Sequence, residues 1–280
     1  MGSEPTSPPL VSVVITVKNE GRHLRRLLES LLAQEPPFEV VVVDALSRDG
    51  TFEIAQEFAR DHPGTFRAFQ RYGSRGIGRN AGVAAARGPF VAFIDGDCFA
   101  DSQWLHAVRE GFARSDVVAG VTVPIGLPAF GPLERVELYQ RGNDVTYPSC
   151  NLGYRRALFD RLEGFDPRFI TAEDIDLNLR AVDSGVHIAF VPKAIVFHEM
   201  RATLIRFLYQ AFWNGYGRKQ LTEKHGTLWG NYRYRRLLEN HRTVIAWMRL
   251  SAALLGYFTR VFTGAGQRLT QRTGESPSAR

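Results

Sequence analysis

Cysteine is scarce in this sequence, which has only Cys98 and Cys150 among its 280 residues. Two cysteines provide neither a disulfide framework nor a cysteine-based metal cluster. A secretory signal is also missing, because residues 1–9 contain no cationic segment followed by an apolar core. We therefore expect reduced thiols, a cytoplasmic location and a disordered lead-in over residues 1–9.

Two common nucleotide-binding motifs are absent. The first apolar run, at residues 11–15, is not followed by Gly-x-Gly-x-x-Gly, and no Gly-Lys-Ser/Thr loop occurs in the chain. These absences argue against a dinucleotide-binding domain and against a P-loop nucleotidase.

No apolar run is long enough to cross a membrane. Residues 244–258 are apolar around a central Arg249, whereas a membrane-spanning helix needs ~20 predominantly apolar residues. We interpret this segment as an amphipathic helix at a membrane interface. The alternative is a helical hairpin that packs on the sheet or forms a homodimer contact.

Charge is divided unevenly along the chain. Residues 1–200 carry 21 Lys and Arg against 26 Asp and Glu, whereas residues 201–280 carry 14 against 3. The chain therefore has an acidic body and a basic tail with a net charge of +11. Such a tail predicts attraction to an anionic surface, either a membrane or a nucleic acid.

Short apolar runs alternate with helical periodicity over the first hundred residues. The runs lie at residues 11–15, 38–43, 66–70 and 90–94. Between the first two runs, leucines recur at helical spacing at positions 24, 27, 28, 31 and 32. This alternation predicts an α/β domain with a mostly parallel sheet and right-handed crossovers.

Polar residues follow each of these runs. They are Asn19, Glu20, Asp44, Arg75, Asp95 and Asp97. Because the carboxyl ends of parallel strands meet at one edge of a sheet, where open α/β sheets bind ligands, we expect these side chains to cluster. A nucleotide lying along this edge would have its phosphates near the two aspartates.

Asp95 and Asp97 are separated by one glycine at the end of a buried run. Side chains two positions apart in an extended chain point the same way, so both carboxylates can face one hard cation, Mn²⁺ or Mg²⁺. Gly96 is expected to let a phosphate approach the backbone. Asp-x-Asp alone is a weak signal, and its position carries the interpretation.

An ordered set of segments resembles family 2 glycosyltransferases of the GT-A fold. The donor-side segments are residues 11–20, 42–51, 78–82 and 95–97, and the acceptor-side segments are residues 149–156, 164–166 and 172–180. The resemblance implies a Rossmann-like nucleotide-sugar-binding domain over residues 10–200, followed by a basic helical extension over residues 201–280. The sequence departs from the family at Thr16, where proline is usual, and at Ala45 and Leu46, within an Asp-Asp-Gly-Ser motif.

The resemblance implies metal-dependent, inverting transfer of a sugar from a UDP- or GDP-linked donor to a glycan or lipid-linked acceptor. It implies that Asp174 is the general base and that Glu173 orients it, although spacing alone fits acidic residues in the first turn of a helix. His198 becomes a third metal ligand beside Asp95 and Asp97. The expected donor contacts are Thr16, Asn19, Glu20, Asp44, Arg75, Arg79, Asn80 and Asp95.

On the acceptor side, we expect Asn151 and Trp213. Residues 210–213 resemble the Gln-x-x-Arg-Trp element of polymerising family members but lack its arginine, so processive synthesis is not predicted. Asp176 and Arg180, four apart, are expected to form an ion pair within one helix.

Two other functions fit parts of the sequence. A nucleotidyltransferase would use the same carboxylates with Lys18 and Arg22, and a nucleic-acid-binding protein would use the basic, aromatic segment 232–236. The acidic sheet edge would repel a nucleic acid, so we expect none as a partner. The expected partner of the tail is an anionic membrane at its cytoplasmic face.

Overall fold

The structure, a computed structural model, describes residues 11–126, 136–199, 203–226, 228, 231 and 244–272. The lead-in predicted for residues 1–9 and the basic segment 232–236 lie outside the described residues.

A mixed sheet of eight strands forms the centre of the protein. Its strands are β1 Val11–Val17, β2 Phe38–Asp44, β3 Phe66–Gln70, β4 Phe90–Asp95, β5 Cys98–Ala100, β6 Val117–Ile125, β9 Leu152–Arg155 and β10 Ile188–Glu199. A small hairpin is formed by β7 Tyr139–Gln140 and β8 Asn143–Asp144.

The strand order across the sheet is β3-β2-β1-β4-β9-β6-β10-β5. Strands β3, β2, β1 and β4 are mutually parallel, as are β6 and β10. Strands β9 and β5 run antiparallel to their neighbours. The mostly parallel mixed sheet predicted from the sequence is confirmed.

Helices cover both faces of the sheet. They are α1 Leu24–Leu32, α2 Thr51–Asp61, α3 Arg75–Ala85, α4 Trp104–Phe112, α5 Arg156–Arg161, α6 Glu173–Asp183, α7 Leu204–His225 and α8 Val244–Arg272. Helices α1, α2 and α4 share one core cluster with the sheet, and α3, α5 and α6 contribute to a second. In α1 the predicted leucines are buried except for Leu32, which is 41% exposed at the last position.

Two glycines let α3 approach β1 closely. A Cβ atom on Gly78 would lie 2.8 Å from Thr16 Cγ2, and one on Gly82 would lie 2.4 Å from Val14 Cγ1. Any larger residue would push the helix away from the sheet. Arg79, next to Gly78, is thereby held against the end of β1.

The register confirms that the predicted polar residues share one sheet edge. Thr16 of β1 pairs with Asp95 of β4, and Val17 pairs with Asp44 of β2. At the other side of the sheet, His198 of β10 pairs with Cys98 of β5.

The predicted helical extension is present as α7 and α8, which cross at very close range. A Cβ atom on Gly215 would lie 1.8 Å from Ala253 O, and one on Gly256 would lie 1.8 Å from Phe212 O. Within the described part of the chain, no helix combines the length and apolar character needed to cross a membrane. The division of the chain at residue 200 stays a prediction.

Candidate active site

Arg79 lies at the centre of the candidate site. Its side chain is 1% exposed and donates to Asp95 Oδ1 over 2.7 Å and to Glu173 Oε1 over 2.7 Å. Burial tends to lower the pKa of the guanidinium, but the charges of Asp95 and Glu173 outweigh it and raise the pKa. Arg79 therefore positions two carboxylates from a buried location, and its direct contact with the donor stays a prediction.

Asp97, Cys98 and His198 form the candidate metal centre. Among the residues that the structure describes, they are the group whose ligand atoms lie within 4.8 Å of one another. Asp97 Oδ2 lies 3.3 Å from His198 Nε2, and Cys98 Sγ donates to Asp97 Oδ1 over 3.8 Å. Asp95 does not belong to this group, and its role as a ligand stays a prediction.

The donor atoms of this group suit a divalent cation. A carboxylate oxygen and an imidazole nitrogen fit Mn²⁺ better than Mg²⁺, which prefers oxygen ligands. Burial lowers the pKa of His198, but the hydrogen bond and charge of Asp97 outweigh it and raise the pKa to about 9. The protonated ring of His198 thus neutralises the charge of Asp97, as a bound cation would. Cys98 was missed as a candidate ligand, because only the β5–β10 register places it opposite His198.

Glu173 and Asp174 begin helix α6. The preceding residue, Ala172, is in the left-handed region with φ +62°, and no side chain caps the helix. Glu173 is 3% exposed and contacts Arg79 as well as Arg75, whose Nε lies 3.7 Å from Glu173 Oε1. The base proposed from the sequence is therefore adjacent to a buried ion pair.

Asp174 is half-buried and held by main-chain groups. Its Oδ2 accepts from Ser149 N over 3.1 Å, and its Oδ1 accepts from Ile175 N over 2.8 Å. Burial and the neighbouring charge of Glu173 raise its pKa above the ordinary aspartate value. A raised pKa makes a carboxylate a better proton acceptor, which suits a general base.

A buried ion network ties α6 to α7. The predicted Asp176–Arg180 pair is confirmed, with Arg180 Nη2 2.7 Å from Asp176 Oδ2. Asp176 is fully buried, and its Oδ1 also lies 2.7 Å from Lys224 Nζ and 2.7 Å from His225 Nε2. Lys224 also contacts Asp166 over 2.8 Å. These links from α7 were not predicted from the sequence.

Two oxygen atoms at the donor edge are buried and have no hydrogen-bond partner among the described residues. They are Asp44 Oδ1 and Thr16 Oγ1. The other Asp44 oxygen accepts from Ser47 N over 3.0 Å and from Gln70 Nε2 over 2.9 Å. Since an unsatisfied buried polar atom costs about 1–3 kcal/mol, these oxygens mark a place where a ligand would be stabilised.

Other predicted donor contacts support the loops around the site. Asn19, with φ +56°, accepts at Oδ1 from Arg48 N over 3.0 Å, and Glu20 N donates to Thr51 Oγ1 over 2.8 Å. Asn80 exchanges hydrogen bonds with the main chain of Phe165. Their contact with a donor stays a prediction. Arg75 is accessible, since its side chain is 53% exposed.

Gly96 has a packing role that the sequence did not predict, and its expected approach to a phosphate stays a prediction. A Cβ atom there would lie 2.7 Å from Val17 Cγ1 and 3.1 Å from Glu20 Cγ. The space beside this glycine is thus filled by protein side chains. Its small size is required by packing against the end of β1.

The two residues predicted on the acceptor side differ in location. Asn151 is 2% exposed, accepts from Trp104 Nε1 over 2.9 Å, and donates to Val121 O and Ala194 O. This side chain supports the core, and its contact with an acceptor stays a prediction. Trp213 lies one helical turn before Gly217, where a Cβ atom would be 2.7 Å from Thr171 Cγ2. Trp213 is therefore on the part of α7 nearest to the start of α6.

Comparison with known sequences identifies the family. Residues 12–163 match the family model Glycosyl transferase family 2, and residues 136–216 match Glycosyltransferase like family 2. The chain belongs to glycosyltransferase family 2. Glycosyltransferase AglE of Haloferax volcanii is 31% identical over 209 residues, which cover 69% of this chain and 68% of that protein. Pre-mycofactocin glycosyltransferase of Mycobacterium tuberculosis is 28% identical over 77% of this chain and 48% of its own length.

Solved structures of similar shape establish the GT-A fold for this glycosyltransferase. The mannosyltransferase PcManGT from Pyrobaculum calidifontis, in complex with GDP-Man and Mn²⁺, gives a TM-score of 0.61 at 19% identity, covering 96% of this chain and 83% of that one. TarS of S. aureus in complex with UDP-GlcNAc gives 0.57 at 17% identity, covering 95% and 93%. Family membership decides against the nucleotidyltransferase and nucleic-acid-binding alternatives.

Proposed function

We propose that this glycosyltransferase moves a sugar from a nucleoside diphosphate donor to an acceptor hydroxyl, with a divalent cation and with inversion at the anomeric carbon. The observation that carries the proposal is the arrangement around Arg79. This one side chain joins Asp95, which ends β4 beside the candidate metal centre, to Glu173, which precedes the candidate base. The groups for leaving-group stabilisation and for proton removal are thereby held in one connected site.

The nucleotide base is assigned to the edge formed by Thr16 and Asp44. A carboxylate oxygen accepts a hydrogen bond from the ring N–H of uracil or guanine, and Asp44 Oδ1 has no partner among the described residues. One vacant oxygen matches the single ring N–H of uracil, whereas guanine offers two neighbouring donors. Asp44 is fully buried, so this assignment requires the adjoining loop, which contains Leu46, to move when the base binds. The donors named for TarS and PcManGT keep both UDP- and GDP-sugars as candidates.

Asp97 and His198 are the residues that would hold the cation, and Mn²⁺ suits their oxygen and nitrogen atoms. The PcManGT complex with Mn²⁺ supports this choice. A bound divalent cation supplies positive charge that stabilises the departing diphosphate. Arg75, exposed on the first turn of α3, adds a second positive charge within reach of the phosphates.

Asp174 is the proposed general base. Its main-chain hydrogen bonds to Ser149 and Ile175 fix its orientation, and its raised pKa favours removal of the acceptor proton. The deprotonated hydroxyl attacks the anomeric carbon while the diphosphate leaves from the opposite face. This in-line geometry inverts the anomeric configuration. Glu173 orients the start of α6 through Arg79.

The acceptor is proposed to be a glycan or a lipid-linked hydroxyl compound. The basic tail, with 14 Lys and Arg against 3 Asp and Glu, supports peripheral binding to the anionic cytoplasmic face of a membrane. Trp213, near the start of α6, is proposed to contact the acceptor.

A thermal-shift panel of nucleotide-sugars with Mn²⁺, with Mg²⁺ and with chelator tests the proposal. A donor at ~100 times its dissociation constant stabilises the protein by about 2.7 kcal/mol, and we expect this stabilisation to require the metal. Asp97→Ala should abolish it. If no UDP- or GDP-sugar stabilises the protein in Mn²⁺, the proposed donor class is wrong.

A further inference from the structure

Helix α8 presents an apolar stripe to solvent. The large exposed side chains lie on one face of the helix in two groups, Val244, Trp247 and Met248, then Leu254, Leu255, Phe258 and Phe262, with the exposed Ser251 between them. Their exposures range from 36% for Met248 to 76% for Val244. At 1.5 Å per residue, the stripe is about 27 Å long. Its length and regularity distinguish it from the scattered apolar residues of an ordinary surface.

The opposite side of α8 is occupied by α7. Gly256 meets the main chain of Phe212, and Arg260 Nε donates to Glu223 over 2.9 Å. Ala246 on this side is 2% exposed. Leu254, Leu255, Phe258 and Phe262 thus lie on the side of α8 away from α7, and no element within the described ranges covers them.

We infer that this stripe is the surface that enters the headgroup boundary of an anionic bilayer. The inference rests on the proposed membrane association and deepens it by naming the surface. Trp247 is 59% exposed on the stripe, and tryptophan is enriched where lipid meets water. An amphipathic helix within a basic segment of the chain binds by apolar burial together with attraction to anionic lipid.

Charge favours lipid over a second copy of the chain. Residues 201–280 carry a net charge of +11. In a symmetric dimer the same patch meets itself, so two such tails would face one another and repel. An anionic bilayer instead neutralises this charge, and each basic residue near the surface gains about 1 kcal/mol.

The stripe is connected to the active site through α7. On one side α7 packs against α8 at Gly215, and on another it packs against Thr171 at Gly217. Lys224 and His225, in its last turn, hold Asp176 of α6. A bilayer bound on the outer side of α8 is therefore separated from α6, the helix of Asp174, by α8 and α7.

Vesicle cosedimentation of the full-length protein tests the surface. The test variant is Leu255→Glu with Phe258→Glu, and the control is Leu32→Glu, an exposed leucine on α1 away from the stripe. We expect the wild type and the control to bind phosphatidylglycerol-containing vesicles and the double variant to bind at least about tenfold more weakly. Undiminished binding by the double variant would overturn the inference, because membrane binding would then depend only on the charge of the basic tail.

Two further measurements keep the outcome decisive. Brominated acyl chains should quench the fluorescence of the wild type more than that of Trp247→Phe, and equal quenching contradicts insertion of the stripe. Light scattering without lipid should show a monomer. If it shows a dimer that Leu255→Glu with Phe258→Glu dissociates, the stripe binds a second copy of the chain instead of lipid, and the inference is wrong. Donor binding in the thermal-shift panel should be equal in both proteins, so failure at the membrane is separable from failure of the proposed reaction.

Discussion

Asp95 and Glu173 lie on either side of a single guanidinium, that of Arg79, which donates to each carboxylate over 2.7 Å. They belong to different halves of the site, since Asp95 ends β4 and Glu173 begins α6. The donor side and the acceptor side are therefore joined by one buried cation. Changes at either carboxylate should affect the other through Arg79.

Replacing Arg79 should destabilise the fold. In Arg79→Met the carboxylates of Asp95 and Glu173 lose their shared cation, and breaking a buried pair by removing one partner costs about 3–5 kcal/mol. Urea unfolding followed by circular dichroism measures this loss. Arg25→Met is the control, because Arg25 pairs with Glu57 on the surface and should matter little. Equal midpoints for the two variants would contradict a central role for Arg79.

The two aspartates of the Asp-Gly-Asp segment should behave differently when replaced. Both Asp95→Ala and Asp97→Ala should lose Mn²⁺-dependent binding of a nucleoside diphosphate, measured by calorimetry. Asp95→Ala should also lower the unfolding midpoint more than Asp97→Ala, because it leaves the buried Arg79 with one carboxylate fewer, whereas the partner of Asp97, His198, can lose its proton. Asp61→Ala, on the surface of α2, is the control for both measurements. Retained Mn²⁺-dependent binding in Asp97→Ala would remove Asp97 from the metal centre.

Asp174→Asn should separate binding from turnover. The amide keeps the size of the carboxylate but does not accept the acceptor proton, so turnover should fall by a factor on the order of 10² or more. Donor affinity should be unchanged. Asp183→Asn, at the exposed end of the same helix, is the matched control. Near-normal turnover in Asp174→Asn would return this residue to a structural role.

Local patterns predicted the sheet and its polar edge because both depend on alternation within short segments. Residues 90–94 are apolar throughout, and residues 38–43 are apolar except for Glu39, since the strands they form are covered on both faces. The placement of Asp44 and Asp95 followed directly, because a strand's carboxyl end is visible in the sequence.

Features that depend on distant partners were not predictable in this way. The bond between Arg79 and Glu173 joins residues 94 positions apart, and Cys98 faces His198 only through an antiparallel pairing. The packing of Gly96 against Val17 and Glu20 was likewise not predicted. Each of these roles depends on packing between helices and strands, which the spacing of residues along the chain does not predict.

The pH dependence of turnover should report the charge of Glu173. The general base acts when deprotonated, so the rate falls as the pH drops through the pKa of Asp174. Burial and the negative charge of Glu173 raise that pKa above the ordinary aspartate value, so the acid limb should lie above pH ~4. In Glu173→Gln the raising charge is removed and Arg79 is less neutralised. Both changes favour the carboxylate form of Asp174 and should shift the acid limb to lower pH.

The measurement is kcat/KM against pH for the wild type and for Glu173→Gln at saturating Mn²⁺. Donor binding is followed in parallel, so that loss of metal in acid is not mistaken for titration of the base. Asp183→Asn should keep the wild-type profile, because its carboxylate is exposed and lies at the far end of α6. An acid limb that stays in place or moves to higher pH in Glu173→Gln means that the titrating base is a different group from Asp174.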